Sequence, residues 1–203
     1  MDGSKEFMES VKNSWYFWKH DLKTKGVFIT RENINDLICS RGFDPEVGIL
    51  SIDIDGNDYW IWESITTVIP AIVIVEVNPI FGSEAAIATP YKADFNRTVA
   101  HYSNLYGGMS LNAAAYLAHK KGYKLVCMDS MGHNAFFVRN DLMGNLKEVS
   151  VRDAYRPLSF RESRGEDGRL TYLEPDQGLE LIKDCPVVDV IDGRMYTVGD
   201  KCK

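Results

Sequence analysis

The run Ile49-Leu50-Ser51-Ile52-Asp53-Ile54-Asp55-Gly56-Asn57-Asp58 decides how this chain reads. It starts apolar with period-2 character, reads as a strand over 49–54, and ends in three carboxylates around Gly56. Tyr59-Trp60-Ile61-Trp62 follows, inside a helix expected from about Asn57 to Thr67. A buried strand that stops at acids, turns on a glycine and starts a helix is how open α/β sheets present chemistry, because their ligands sit outside the carboxyl ends of parallel strands. Asp53 and Asp55 share one strand face. Asp58 is expected to return over them on the first helical turn. Carboxylates this close repel one another unless a cation or a shared proton lies between them.

Downstream, Pro70 precedes a second apolar run, Ala71-Ile72-Val73-Ile74-Val75, which ends at Glu76-Val77-Asn78-Pro79. Strand, helix and strand in this order form a βαβ unit with parallel strands and a right-handed crossover. Both runs are nearly continuous in apolar residues, as expected where helices cover each side of a sheet. Glu76 and Asn78 then share a face beside the first strand end, so four acids and one amide converge. All-oxygen ligands suit Mg²⁺, Mn²⁺ or Ca²⁺ rather than zinc, and Asp53, Asp55 and Glu76 are the candidate metal ligands. The competing structural roles are helix support for Asp58 and turn ordering for Asp55.

The remaining segments frame this unit. Residues 4–23 read as one amphipathic helix capped by Ser4, with Phe7, Val11, Trp15 and Trp18 near helical spacing. Val27–Ile29 reads as a short strand, and Thr30 as the cap of a helix from Arg31 to about Ser40. Residues 79–108 form a long loop whose aromatic residues point to an ordered cover. Ser110 caps a helix through Lys121 that Gly122 stops, and Tyr123–Met128 is a strand. Ala135–Val138 follows through a link short enough to imply a hairpin. A domain over 1–145 and a small appendage over 146–203 are expected. The appendage carries a helix near Gln177–Lys183 and a hairpin of Val187–Ile191 with Met195–Val198, turned by Asp192-Gly193.

Composition narrows the function classes. The 203 residues suit one domain with a small addition, and the net charge of −6 with scattered bases argues against nucleic acid. The only basic clustering is Lys120-Lys121 and the acid-interrupted region from Arg152 to Arg169. No apolar run reaches the length of a membrane span, and the N-terminus lacks a signal-peptide pattern. Cys39, Cys127, Cys185 and Cys202 have no metal-binding spacing and read as reduced thiols of a cytoplasmic protein.

Two loop histidines, His101 and His133, lie on the carboxyl side of the sheet and could act as general base. Asn134 could hydrogen-bond a ligand or order its turn. No GxSxG context, Cys–His pair, P-loop or dinucleotide fingerprint is present.

The core from Ile49 to Asp58, followed by Pro70-Ala71-Ile72-Val73-Ile74-Val75-Glu76, resembles the "K-I-D-V-E-G-x-E … P-x-I-I-x-V-E" pattern of FkbM-type methyltransferases. Ile29–Asn35, His101–Leu111 and Asn134–Arg139 resemble segments of an uncharacterised bacterial branch of that group. The resemblance covers roughly residues 1–145. It implies a class I, Rossmann-like α/β fold: a mostly parallel sheet with a C-terminal antiparallel hairpin and a small α/β appendage. It also implies S-adenosylmethionine as cofactor and methyl transfer to a hydroxyl of a small molecule or glycan.

In that alignment Asp53, Asp55, Asp58 and His101 are catalytic, and Asp2, Asp53 and Asp55 bind the cofactor. Glu76, Asn78, His133 and Asn134 face the acceptor, and Mg²⁺ enters by analogy with catechol-type methyltransferases. The first strand and its glycine loop have no counterpart, with Asp2-Gly3 as the remnant of the ribose-binding acid. The flank of strand 49–54 is therefore expected to be open, for a homodimer or a partner chain to cover. Two other readings compete: a non-catalytic assembly module, and a metal-dependent hydrolase with Arg97 or Arg139 stabilising an anionic transition state.

Overall fold

In the computed structural model, which describes residues 1–157 and 162–202, two sheets share the chain. The larger is built from β1 (Ile49–Ile52), β2 (Ile72–Glu76), β4 (Tyr123–Met128) and β5 (Asn134–Arg139), in the order β1-β2-β5-β4. β1 and β2 pair in parallel, Ile49 opposite Ile72, and α4 (Asp58–Ser64) connects them. That is the expected βαβ unit.

The sheet is mixed: β1 and β2 are parallel as expected, and the antiparallel strand is the one expected to fold back in a hairpin. β1, β2 and β4 run one way, and β5 lies between β2 and β4, antiparallel to both. The cause is local: residues 129–133 are too few for a crossover, so β5 must fold back beside β4. Asp129 makes the turn, accepting the backbone N–H of His133 at 2.9 Å and the Asn134 side-chain amide at 2.9 Å.

The core lies between this sheet and the helices α4 and α6 (Leu111–Lys121). Val73, Val75, Phe137, Trp62, Ile61, Leu111 and Leu117 are buried there, and the Trp62 and Phe137 rings sit 5.2 Å apart. Both ends of α6 follow the sequence. The Ser110 hydroxyl accepts the Ala113 N–H, and Gly122 closes the helix in the left-handed region at φ 84°, where a side chain would be strained.

The second sheet has the order β3-β6-β7, with β3 (Ile87–Ala88), β6 (Pro186–Asp189) and β7 (Met195–Thr197). β3 comes from the long loop and pairs with the expected C-terminal hairpin. Ile80, Phe81, Ile87, Leu105 and Tyr106 of that loop share a second core with Ile182, Val187 and Val198. Ile182 closes α7 (Pro175–Ile182). The loop is an ordered cover, pinned by apolar burial against the last thirty residues. The part of the 146–170 segment between 158 and 161 lies outside the described residues.

The N-terminal segment departs most from expectation. In place of one helix there are α1 (Lys5–Lys12) and α2 (Trp15–Lys19), broken at Asn13-Ser14. The Ser10 and Ser14 hydroxyls donate to the Phe7 and Val11 carbonyls, side-chain bonds that compete with helix continuation. Met8 is buried, whereas Phe7, Trp15, Tyr16 and Trp18 are exposed. The expected strand at 27–29 is not formed, and one parallel bridge of Asp2 with Gly26 lies just before it. The third helix, α3 (Ile34–Cys39), starts later than expected, because the Asn33 side chain bonds the Thr30 N–H and the Phe28 carbonyl and spends the first turn on a loop.

Phe137→Ala should lower the unfolding free energy by about 3–5 kcal/mol, the usual cost of truncating a fully buried aromatic. Urea denaturation measures it, and a change under about 1 kcal/mol would place Phe137 outside the core that joins α4 to the sheet.

Candidate functional site

β1 ends at Ile52, and the chain must reverse within a few residues to start α4 at Asp58. Asp58 makes that possible. Its side chain is wholly buried, and its two oxygens accept the N–H of Ile54 at 3.0 Å and of Gly56 at 2.9 Å. The clamp holds Asp55 in the left-handed region at φ 59° and Gly56 at φ 146°. A Cβ on Gly56 would stand 2.1 Å from the Phe95 ring, so glycine is required for space as well as for backbone angle. The Gly56 carbonyl in turn accepts the Thr89 hydroxyl at 3.0 Å, which fixes the long loop just after β3 against the turn.

Burial pushes the Asp58 carboxyl up to about 6 from an ordinary 3.8, although the two N–H groups favour its charged form. This corrects its expected placement. As first residue of α4 it turns inward to satisfy backbone donors, and its carboxyl is buried instead of exposed in the open site with Asp53 and Asp55.

Three carboxylates meet at this end of the sheet, two from the turn and one from the end of β2. Oxygens of Asp53, Asp55 and Glu76 all lie within 4.8 Å of one another, with both aspartates exposed and Glu76 half-buried. This is the expected trio, brought together by the parallel register of β1 with β2. Arg97, at the start of α5 (Arg97–Ala100), reaches Asp55 with Nη1 at 2.9 Å from Oδ1. One oxygen of Asp55 is thus paired with a cation supplied by the loop.

A cavity of about 290 Å³ opens at this end of the sheet. Asp53, Ile54, Asp55 and Asn57 form one side, and Met1, Asp2, Gly3, Phe28 and Ile29 contribute from the N-terminal segment. Phe95 to Thr98 complete the lining. Three residues assigned from sequence to a cofactor, Asp2, Asp53 and Asp55, therefore meet in one place. Asn57 and Phe95 are lining residues that the sequence reading passed over. Asn57 is almost fully buried and donates to the Lys92 carbonyl at 2.9 Å. Its position between two acids was the available signal, but there it reads equally as the start of a helix.

The other candidates have structural employment. Asn78 is buried, donates to the Leu105 and Gly107 carbonyls and accepts the Ile80 N–H. It stitches the end of β2 to the loop. His101 is half-buried, with Nδ1 2.7 Å from the Ser103 hydroxyl and its ring stacked on Tyr102. Burial lowers its pKa, and it does not line the cavity. His133 and Asn134 belong to the hairpin turn, and Asn134 pairs across the ladder with Glu76. Arg139 is engaged with Asp141 and Glu46 at the opposite end of β5.

All four cysteines are free thiols, and no helix among the described residues is long and apolar enough to cross a membrane. Comparison with protein-family models, with curated proteins and with solved structures gave no match.

The Asp58 clamp has a pH signature. A carboxyl raised from 3.8 to about 6 is a cost to the folded state while ionised, on the order of 3 kcal/mol. The folded state binds the extra proton between those values, so the cost is relieved as pH falls from about 6 to about 4. Urea unfolding of wild type and Asp58→Asn across that window should show wild type gaining relative stability toward the acid side. Parallel pH profiles would mean that Asp58 titrates as an ordinary surface acid.

Proposed function

We propose that this chain is a class I methyltransferase-like α/β protein that binds S-adenosylmethionine at the carboxyl end of β1 and methylates a hydroxyl of a small molecule or glycan. The observation that carries this reading is the meeting of Asp2, Asp53 and Asp55 around one cavity. Asp2 offers the acid that hydrogen-bonds a ribose, and its backbone lies in the parallel bridge to Gly26 at the same sheet end. At about 290 Å³ the cavity stands at the lower edge of the roughly 300–1,000 Å³ of small-molecule sites, room for part of a nucleoside-sized cofactor.

The donor set of Asp53, Asp55 and Glu76 also fits Mg²⁺, which takes oxygen ligands and tolerates few protein contacts. When bound, the ion would polarise a hydroxyl acceptor and lower its pKa. The residues' own contributions are positional. Asp58 fixes the backbone that carries Asp55, and Arg97 holds the Asp55 carboxylate in one orientation. Phe95 and Phe28 give the cavity apolar walls. An acidic side chain of the trio is the nearest base for the acceptor proton, in preference to His101, which lies outside the cavity lining. The free thiols agree with a cytoplasmic setting.

Calorimetric titration with S-adenosylmethionine, with and without Mg²⁺, tests the reading. Saturable binding weakened at least about tenfold by Asp55→Ala is the expected result. A well-folded chain that takes up no heat from the cofactor contradicts it.

A further inference from the structure

Asn78, His133 and Asn134 hold turns and loops, which leaves the methyl acceptor without a place to bind. A groove adjoins the cofactor cavity across Arg97 and Thr98, which line both. Its nearer half is about 470 Å³ and its farther half about 330 Å³, and Tyr102, Arg164, Gly165 and Glu166 border the two halves alike. One wall is the segment around Tyr102 and Asn104. The other is a tight hairpin over 163–171, closed by the bond from the Gly165 N–H to the Arg169 carbonyl, with Gln177 of α7 beside it. The Arg164 N–H donates to the Ser103 carbonyl at 3.1 Å and joins the two walls. The hairpin and α7 lie beyond residue 145, outside the stretch that resembles the methyltransferases.

Asn104 carries the mark of a ligand. It is only 6% exposed, sits in the left-handed region at φ 60°, and lines the nearer half of the groove. Among the described residues its side-chain amide takes no hydrogen bond. An enclosed amide without partners is costly, and at a cavity wall it is matched by a group that both donates and accepts. A hydroxyl does both. Tyr102 adds a platform: His101 stacks on its ring at 4.5 Å, and the ring stays part-exposed where the two halves meet. The weakly positive C–H face of a sugar ring suits the electron-rich face of a phenol ring. Charge argues against an anion. The Arg97 guanidinium is committed to Asp55, and that of Arg164 to Glu162 and to the Gly168 carbonyl at 2.8 Å. Glu166 has no cationic partner among the described residues, so a phosphate or carboxylate here meets an unpaired acid.

We propose that this groove is the acceptor site and that the acceptor is a neutral glycan, with a sugar ring on Tyr102 and a hydroxyl on the Asn104 amide. Its role as acceptor rests on the methyl-transfer reading, whereas sugar binding at the groove stands without it.

The test presents the full chain, biotinylated and tetramerised on streptavidin, to an array of neutral, sialylated and sulfated glycans in the absence of S-adenosylmethionine. Four linked copies raise avidity enough to register a weak single site. Neutral glycans should be captured in preference to anionic ones. Calorimetry with the strongest of them should show binding weakened at least about tenfold by Tyr102→Ala and by Asn104→Gly, and retained in Tyr102→Phe, which keeps the ring. Both weakened variants should melt with the wild type, since Tyr102 is part-exposed and glycine adopts φ 60° freely. The proposal falls if no neutral glycan is captured or if anionic glycans dominate. It falls equally if folded Tyr102→Ala and Asn104→Gly bind the captured glycans as the wild type does. Capture by a chain that binds no S-adenosylmethionine supports the sugar site and overturns methyl transfer, and cofactor binding without glycan capture overturns the sugar site alone.

Discussion

The buried carboxylate of Asp58 accepts the backbone N–H groups of Ile54 and Gly56, and these two bonds bend the chain back between β1 and α4. Without them the reversal would leave two donors unpaired, and for the buried Gly56 N–H that costs about 1–3 kcal/mol. With them, Asp55 is held at a left-handed backbone angle and Gly56 is pressed against Phe95. The exposed acids, the Arg97 pair and one side of the cavity all take their positions from that turn. Ionising a fully buried group is expensive, and its charge-assisted bonds at the start of a helix recover part of the expense.

Around the turn, the two cores divide the work. The first, between the mixed sheet and helices α4 and α6, fixes the ends of β1 and β2 relative to each other. That brings Glu76 to Asp53 and Asp55. The second core anchors the long loop by pairing β3 with β6 and by burying Ile87 against Val187 and Ile182. Arg97 rides on this loop, so the C-terminal hairpin, distant in sequence, helps to set a charge beside Asp55. The long loop is functional in the sense that it both closes the cavity and supplies a cation to it.

Much of this was legible in the residues. Strands β1 and β2, the caps of α6 and the β4–β5 hairpin follow from periodicity, Ser110, Gly122 and link length. The acid trio follows from two strand ends placed side by side. The direction of the Asp58 side chain did not follow, because periodicity gives a face and cannot say which backbone donors need an acceptor. The break at Asn13-Ser14 was hidden by a helical pattern that serine back-bonding overrides. The insertion of β5 between β2 and β4 and the pairing of β3 with β6 depend on contacts between residues far apart in sequence, which no local pattern encodes. Asn78, His101, His133 and Asn134 have residue types suited to chemistry, yet their hydrogen bonds serve loops and turns.

The most direct test of the account is paramagnetic NMR with Mn²⁺ as probe, since the central claim is that the turn after β1 and the end of β2 form one carboxylate centre. Sub-stoichiometric Mn²⁺ should broaden the amide signals of Asp53 to Asn57 together with those around Glu76, and leave the β6–β7 hairpin sharp. Broadening confined to other acidic surface, or none at the turn, would contradict the account.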